Sequence, residues 1–291
     1  MSSLFYFSIY LGVVLLLAAQ LFFPVFQAVD AYWELRPDRV FHRLILLIAV
    51  LGFWPFLKLL GINNRYALGY TLAPLPFVRT VLIGLAVGTG IMALHAAVLL
   101  LLGVRIFSPE TVRFGDWMYL LASGLLGGVL VALIEESFFR GAMQYHLRYS
   151  NSLLLTLVFT SLFYAVVHFI HPPEPAAGAP VDWRSGWTML EGMLHPFKNF
   201  AGLIDSFAAL FMAGLLLALV RERSGSLALC IGIHAGWIMM IRLTRGVSSE
   251  VADSPNAFLI GSYDGVIGWA AAILLGLLAL GYWLTGIRRT G

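Results

Sequence analysis

The chain has 291 residues, of which 60% are hydrophobic and only 11% are charged, and its formal net charge is +3. A soluble domain carries roughly 25% charged residues, so this composition excludes an ordinary soluble domain and indicates a membrane protein. The single cysteine, Cys230, excludes an internal disulfide. The charges form no basic stripe interleaved with aromatic residues, so we expect no nucleic-acid partner.

Several apolar runs reach the ~20 residues that a helix needs to cross a bilayer. In chain order, the predicted spans are 4–29, 44–61, 80–104, 118–148, 152–170, 203–220, 226–243 and 264–287. The first run lacks a basic n-region and is too long for a signal peptide, so we interpret it as a retained span. The predicted fold is an all-α polytopic membrane protein, with about eight transmembrane helices in a single bundle around an intramembrane catalytic cavity.

Within this one structural domain we distinguish N-terminal transmembrane helices at 1–116, a core with the notable polar residues at 117–243, and a C-terminal transmembrane helix at 244–291. Basic residues balance between the two predicted faces, so the positive-inside rule gives no orientation. The longest connection, 171–202, predicts a short amphipathic helix, because its aromatic residues and methionines recur at a spacing of three to four. It is either a lid over a cavity or a loop that aromatic side chains anchor among the headgroups.

The fourth predicted span contains two adjacent carboxylates, Glu135 and Glu136, inside an apolar run. One acidic residue at the centre of a spanning helix costs roughly 2.5–3.5 kcal/mol, and two neighbours also repel each other. Arg140 follows Glu136 by four residues, so these two can form an ordinary same-face helix pair. That pairing leaves Glu135 as the carboxylate available for proton transfer.

Histidines at membrane depth are candidate partners for these carboxylates. If the chain reverses at Ser150, Glu135 and His168 lie about 15 and 17 residues from the turn, or roughly 23–25 Å at helical rise. His234 follows a second reversal on the same face by about ten residues and can reach the same zone. The spacing therefore predicts a Glu-Glu/His/His cluster inside the bundle. His95 is isolated in its run, and we interpret it as an interhelical hydrogen bonder.

The residue set favours hydrolysis. The sequence contains no His-Glu-x-x-His, Gly-x-Ser-Gly or Gly-x-Gly-Asp motif, whereas a carboxylate with two histidines can activate water and stabilise an oxyanion. A proton- or ion-coupled transporter is a second hypothesis, disfavoured because no inverted repeat is visible. A metal site formed by Glu135, His168 and His234 is chemically possible and ranks lower.

Three motifs in this order resemble the CPBP family of intramembrane glutamic endopeptidases. They are Glu135-Glu136-x-x-x-Arg140, Tyr164-x-x-x-His168, and a later helix with His234-Ala-Gly-Trp237. This family includes the Rce1-type CAAX-processing proteases and bacterial relatives linked to bacteriocin self-immunity. The resemblance covers about 117–242. It implies hydrolysis of a peptide bond without metal or cofactor, on a membrane-associated or lipidated protein or peptide, in a multi-pass protein of the bacterial cytoplasmic membrane.

The resemblance also implies a role for each matching residue. Glu135 is the base that activates water, and His168 shares that water. His234 stabilises the oxyanion. The supporting positions are Glu136 and Arg140 as an ion pair, Tyr164 where the family usually has Phe, and Trp237.

The last motif departs from the family, which usually has His-x-x-x-Asn, because position 238 is Ile. The change removes the expected partner of His234, and the loss of one oxyanion donor costs about 2.7–4 kcal/mol in well-studied hydrolases. Trp237 or Arg242 is a possible substitute. The alternative hypothesis is a catalytically impaired member that acts as a non-enzymatic immunity or binding scaffold.

Overall fold

The computed structural model describes residues 3–33, 35–62, 64–108, 113–176, 178–261 and 263–287. Its helices, in chain order, are α1 (Ser3–Asp30), α2 (Pro37–Leu59), α3 (Pro74–Leu101), α4 (Phe114–Glu136), a π-helix (Ser137–Met143), α5 (Gln144–Arg148), α6 (Leu153–His168), α7 (Ser185–Gly192), a 3₁₀ helix (His195–Leu203), α8 (Ile204–Ser224), α9 (Ala228–Val247), a 3₁₀ turn (Ala257–Leu259) and α10 (Trp269–Ile287). The strands β1 (Arg105–Phe107) and β2 (Ser248–Glu250) pair antiparallel. The predicted all-α class is confirmed.

Six helical segments of the described chain are long and apolar enough to cross a membrane, which makes this an integral membrane protein. They are Leu4–Asp30, Pro37–Leu59, Pro74–Leu101, Phe114–Arg148, Ser185–Ser224 and Trp269–Gly286. The other two predicted spans also fall on helices. Of these, α6 has 16 residues and α9 carries Arg242 and Arg245 near its end. The count of eight crossings therefore remains a prediction.

Two helices begin earlier than hydropathy alone indicates. Pro37 and Pro74 each occupy the first position of a helix, where a missing N–H costs nothing and the fixed φ favours the helical backbone. The predicted starts at 44 and 80 are too late for this reason. At the other end of the chain, α10 begins at Trp269 rather than at 264.

The described chain groups into two compact units. The first comprises Met1–Asn63 and Val166–Phe200. Its core joins α1, α2 and α7 through Phe22, Phe41 and the methionines Met189 and Met193. The amphipathic helix predicted in the long connection is therefore present, and its methionines are buried against α1 and α2. Whether it acts as a lid remains a prediction.

The second unit comprises Asn64–Ala165 and Ala201–Gly291, and α9 lies at its centre between α3 and α4. Glycines allow these helices to approach backbone to backbone. A Cβ at Gly236 would lie 2.7 Å from the Leu85 carbonyl oxygen, and one at Gly128 would lie 2.8 Å from that of Ala235. Small residues at helix contacts are typical of membrane bundles, where van der Waals packing drives association. This packing places α4 and α9 side by side.

The loop between β2 and α10 contacts α3 through a hydrogen bond to His95. His95 Nε2 lies 2.9 Å from the Val266 carbonyl oxygen, so His95 has a hydrogen-bond partner as predicted, but that partner lies in the loop before α10 and not on another helix. The Asp264 carboxylate accepts from two backbone N–H groups of the following turn. Burial raises the pKa of Asp264 despite these bonds.

Candidate active site

The glutamate pair lies where α4 changes into a π-helix. The π segment begins at Ser137, whose hydroxyl donates to the Leu133 carbonyl oxygen one turn back. Such a side-chain bond competes with the backbone ladder. Glu136, the last residue of α4, and Arg140, inside the π segment, are both fully buried. Single π turns inside α-helices occur frequently at functional sites.

Glu136 stands at the centre of a buried polar triad. Its Oε1 accepts from Arg140 Nη1 at 2.9 Å and lies 2.9 Å from His234 Nδ1. A carboxylate oxygen accepts from an imidazole N–H, so this contact fits the tautomer of His234 that carries a proton on Nδ1. Arg140 balances the charge of Glu136 in this low-dielectric interior, which a buried carboxylate requires.

Glu135 differs from its neighbour in exposure and in partners. Its side chain is 27% exposed, whereas that of Glu136 is 0% exposed. Its Oε2 lies 4.0 Å from His234 Nε2, which is beyond hydrogen-bond length. The imidazole therefore holds Glu136 with one nitrogen and turns the other toward Glu135. A water molecule can bridge two polar atoms, such as Glu135 Oε2 and His234 Nε2, at this distance.

Aromatic rings surround the triad. The Arg140 guanidinium carbon lies 4.3 Å from the Tyr164 ring centroid, a cation–π distance, and the Tyr164 and His234 rings meet edge to face at 6.2 Å. Trp237 lies one turn from His234 on α9, with ring centroids 6.4 Å apart. Its Nε1–H is buried and has no hydrogen-bond partner among the described residues. A buried unsatisfied donor next to polar groups is rare and calls for a functional explanation.

The structure thus brings together six of the predicted site residues: Glu135, Glu136, Arg140, Tyr164, His234 and Trp237. His168 is the last residue of α6 and belongs to the first unit, so its part in the site remains a prediction. The intramembrane catalytic cavity also remains a prediction. Within the described ranges, no group of three or more His, Cys, Asp or Glu side chains is arranged as a metal site.

Two tyrosines near the glutamates carry no signal in the sequence. Tyr70 Oη lies 2.6 Å from Ser137 Oγ, beside Glu136, and burial raises the pKa of this phenol. Burial also raises the pKa of Tyr263 to about 12, and the charges of Asp264 and Glu135 add to the shift. No periodicity or motif marks either residue, because each comes from a connecting segment that only the tertiary fold brings close.

The fold and the site define an integral membrane protein with a charged and histidine-containing centre inside its helices. Comparison with known families is consistent with this class. Residues 117–240 match the family model described as "Type II CAAX prenyl endopeptidase Rce1-like", so this segment is similar to that family. The family is one of membrane proteases. No curated protein and no solved structure matches the chain significantly.

Proposed function

We propose that this protein is a membrane-embedded, metal-independent endopeptidase in which Glu135 activates the attacking water. The observation that carries the proposal is the difference in partners and exposure between the two glutamates. Glu136 is engaged by Arg140 and His234, whereas Glu135 is partly exposed and faces His234 Nε2 across 4.0 Å. The Rce1-like match supports peptide-bond hydrolysis at this site.

In the proposed reaction, Glu135 takes a proton from water while the hydroxide attacks the carbonyl carbon of the scissile peptide bond. The carbonyl oxygen becomes an oxyanion in the tetrahedral intermediate. When the C–N bond breaks, Glu135 returns the proton to the leaving amine. His168 would orient the same water. This role is supported by the resemblance of the Tyr164-x-x-x-His168 motif to the family's second motif.

Two donors are proposed for the oxyanion. In its doubly protonated form, His234 donates Nδ1–H to Glu136 and Nε2–H to the oxyanion. The second donor is Trp237 Nε1–H, in place of the Asn that the family usually has at position 238. It is buried, close to the His234 ring and free of any hydrogen bond to a described residue. The substrate would be a membrane-associated or lipidated protein in a bacterial cytoplasmic membrane, and the bundle would cross it eight times.

Comparison of membrane proteomes from cells with wild type and Glu135→Gln tests the proposal. We expect uncleaved substrates to accumulate in the variant, since loss of a general base lowers the rate about 10²–10⁴-fold. Glu191→Gln, a change at an exposed residue of α7, is the matched control. Thermal unfolding in detergent shows whether Glu135→Gln folds. A folded Glu135→Gln variant with full cleavage would refute the proposal.

Trp237→Phe tests the second donor separately, because it keeps the ring and removes the N–H. We expect kcat to fall about 10²–10³-fold with little change in KM. Metal analysis of the purified wild type checks the metal-free mechanism. Restoration of activity to a chelated sample by a divalent ion would contradict it.

A second candidate function is a non-enzymatic immunity or binding scaffold. Ile238 favours it, because this residue packs beside Gly128 of α4, where an added Cβ would lie 3.4 Å from the Ile238 Cβ, and it offers no polar atom to the site. A biological effect that survives Glu135→Gln would support the scaffold. Loss of the effect in the same variant would support the protease.

A further inference from the structure

A polar row runs through the second unit from the glutamate pair toward one end of the helices. It consists of Glu136, Arg140, Gln144 and Arg148, at a spacing of four residues along α4, the π-helix and α5. Their contacts with one another and with α8 show that these side chains form a single row. A polar row of this length inside a membrane protein is costly unless each of its atoms is hydrogen-bonded.

The facing helix α8 meets this row at a matching spacing. Arg140 Nη2 donates to the Gly214 carbonyl oxygen at 3.2 Å, and Gln144 Nε2 donates to that of Ala218 at 3.0 Å. Arg148 Nε pairs with Glu222 at 3.3 Å, and their side chains are 41% and 29% exposed. The row therefore reaches solvent at its Arg148 end and is buried everywhere else.

Several atoms of this row have no hydrogen-bond partner among the described residues. They are Glu136 Oε2, Arg140 Nε and Gln144 Oε1, and the side chains that carry them are at most 2% exposed. A fourth such atom is the hydroxyl of Thr160, a fully buried residue of α6. Roughly 90% of buried polar groups have a partner in protein or ordered water. Three such atoms in this row, together with a fourth on α6, indicate that water molecules bind here.

Helix register places Thr160 at the level of Gln144. Tyr164 of α6 lies against Arg140. Thr160 comes four residues before Tyr164, and Gln144 comes four residues after Arg140. Because α6 runs antiparallel to the segment that carries Arg140 and Gln144, these two steps lead in the same direction. The amide oxygen of Gln144 accepts, the guanidinium Nε of Arg140 donates, and the Thr160 hydroxyl does both. These groups supply the kinds of donor and acceptor that a buried water requires.

We propose that ordered water molecules bind along this polar row and connect the surface at Arg148 and Glu222 with Glu136. An intramembrane hydrolase consumes one water per bond cleaved, and hydrocarbon supplies none. The row provides that water from the Arg148 end. The supply role rests on the proposed function, whereas the water sites themselves do not.

Radiolytic hydroxyl-radical labelling of the purified full chain tests the water sites, because radicals from bound water oxidise nearby aromatic rings. Phe139, which lies beside Arg140 and Tyr164, is the reporter, and Phe41 in the first unit is an equally buried reference. We expect Phe139 to be labelled several-fold faster than Phe41. Thr160→Val, which removes the hydroxyl at constant volume, should reduce that labelling.

Thr156→Val is the matched control, since the Thr156 hydroxyl already donates to the Ser152 carbonyl oxygen at 3.0 Å and is one turn away on α6. It should leave the labelling of Phe139 unchanged. Equal labelling of Phe139 in wild type and Thr160→Val, or a rate no higher than that of Phe41, would overturn the water sites. Thermal unfolding is measured for each variant. If the site held no water, the Thr160 hydroxyl would be buried without a hydrogen bond, and Thr160→Val would be at least as stable as wild type.

Cleavage kinetics test the supply role. Thr160→Val should lower kcat about fivefold, the effect of one lost hydrogen bond, with KM unchanged. Reduced labelling with unchanged kcat would overturn the supply role. If wild type cleaves no substrate, the proposed function fails, and the labelling of Phe139 still decides whether water occupies the row.

Discussion

The substitution Arg140→Leu tests the buried triad most directly. Arg140 is fully buried, donates to Glu136 at 2.9 Å and to the Gly214 carbonyl oxygen at 3.2 Å, and stacks on Tyr164. Its loss leaves Glu136 as an uncompensated charge in the interior. Breaking a buried ion pair from one side costs about 3–5 kcal/mol. At roughly 2–4 °C per kcal/mol for a chain of this size, the midpoint of thermal unfolding should fall by about 6–20 °C.

Arg148→Leu is the control, because it removes the same kind of side chain from the same row. Its pair with Glu222 is partly exposed, and such pairs contribute about 0–1 kcal/mol. The double variant Glu136→Leu/Arg140→Leu should regain part of the loss, since an apolar pair of similar volume carries no buried charge. Thermal unfolding in detergent measures all three. Equal unfolding midpoints for Arg140→Leu and Arg148→Leu would refute a costly unpaired charge at Glu136, and so would a double variant no more stable than Arg140→Leu.

Two further predictions concern helix packing and pH. Gly88→Ala should destabilise the protein, because a Cβ there would overlap the Ile233 carbonyl group. Gly90→Ala is the control: a Cβ there would have no atom within 4 Å, so this change should stabilise the protein by up to about 1 kcal/mol. Equal unfolding midpoints for the two variants would contradict the backbone contact at Gly88. Burial raises the pKa of Asp264 above 3.8, so the folded state binds this proton more tightly than the unfolded chain. The free energy of unfolding should therefore fall as pH rises from 3.8 through the raised value, and Asp264→Asn should remove that part of the slope in a pH series of unfolding curves.

Much of the fold and of the site follows from local sequence. The apolar runs predict helices because a membrane leaves the backbone no other way to satisfy its polar groups within one segment. Each predicted span lies on a helix for this reason. The contact between Glu136 and Arg140 is equally local, since four residues make one turn, and the family resemblance rests on short motifs of the same kind.

Tertiary structure decides how the two glutamates differ. Sequence spacing brings His234 only to the zone of the pair, whereas the packed glycines of α3, α4 and α9 set its Nδ1 on Glu136, 98 positions earlier in the chain. The π segment and the approach of Tyr70 and Tyr263 also depend on contacts between distant segments. Hydropathy and helical periodicity report the surroundings of one helix, but a contact between helices depends on their relative rotation and depth. That packing buries the side chain of Glu136 completely and leaves that of Glu135 27% exposed.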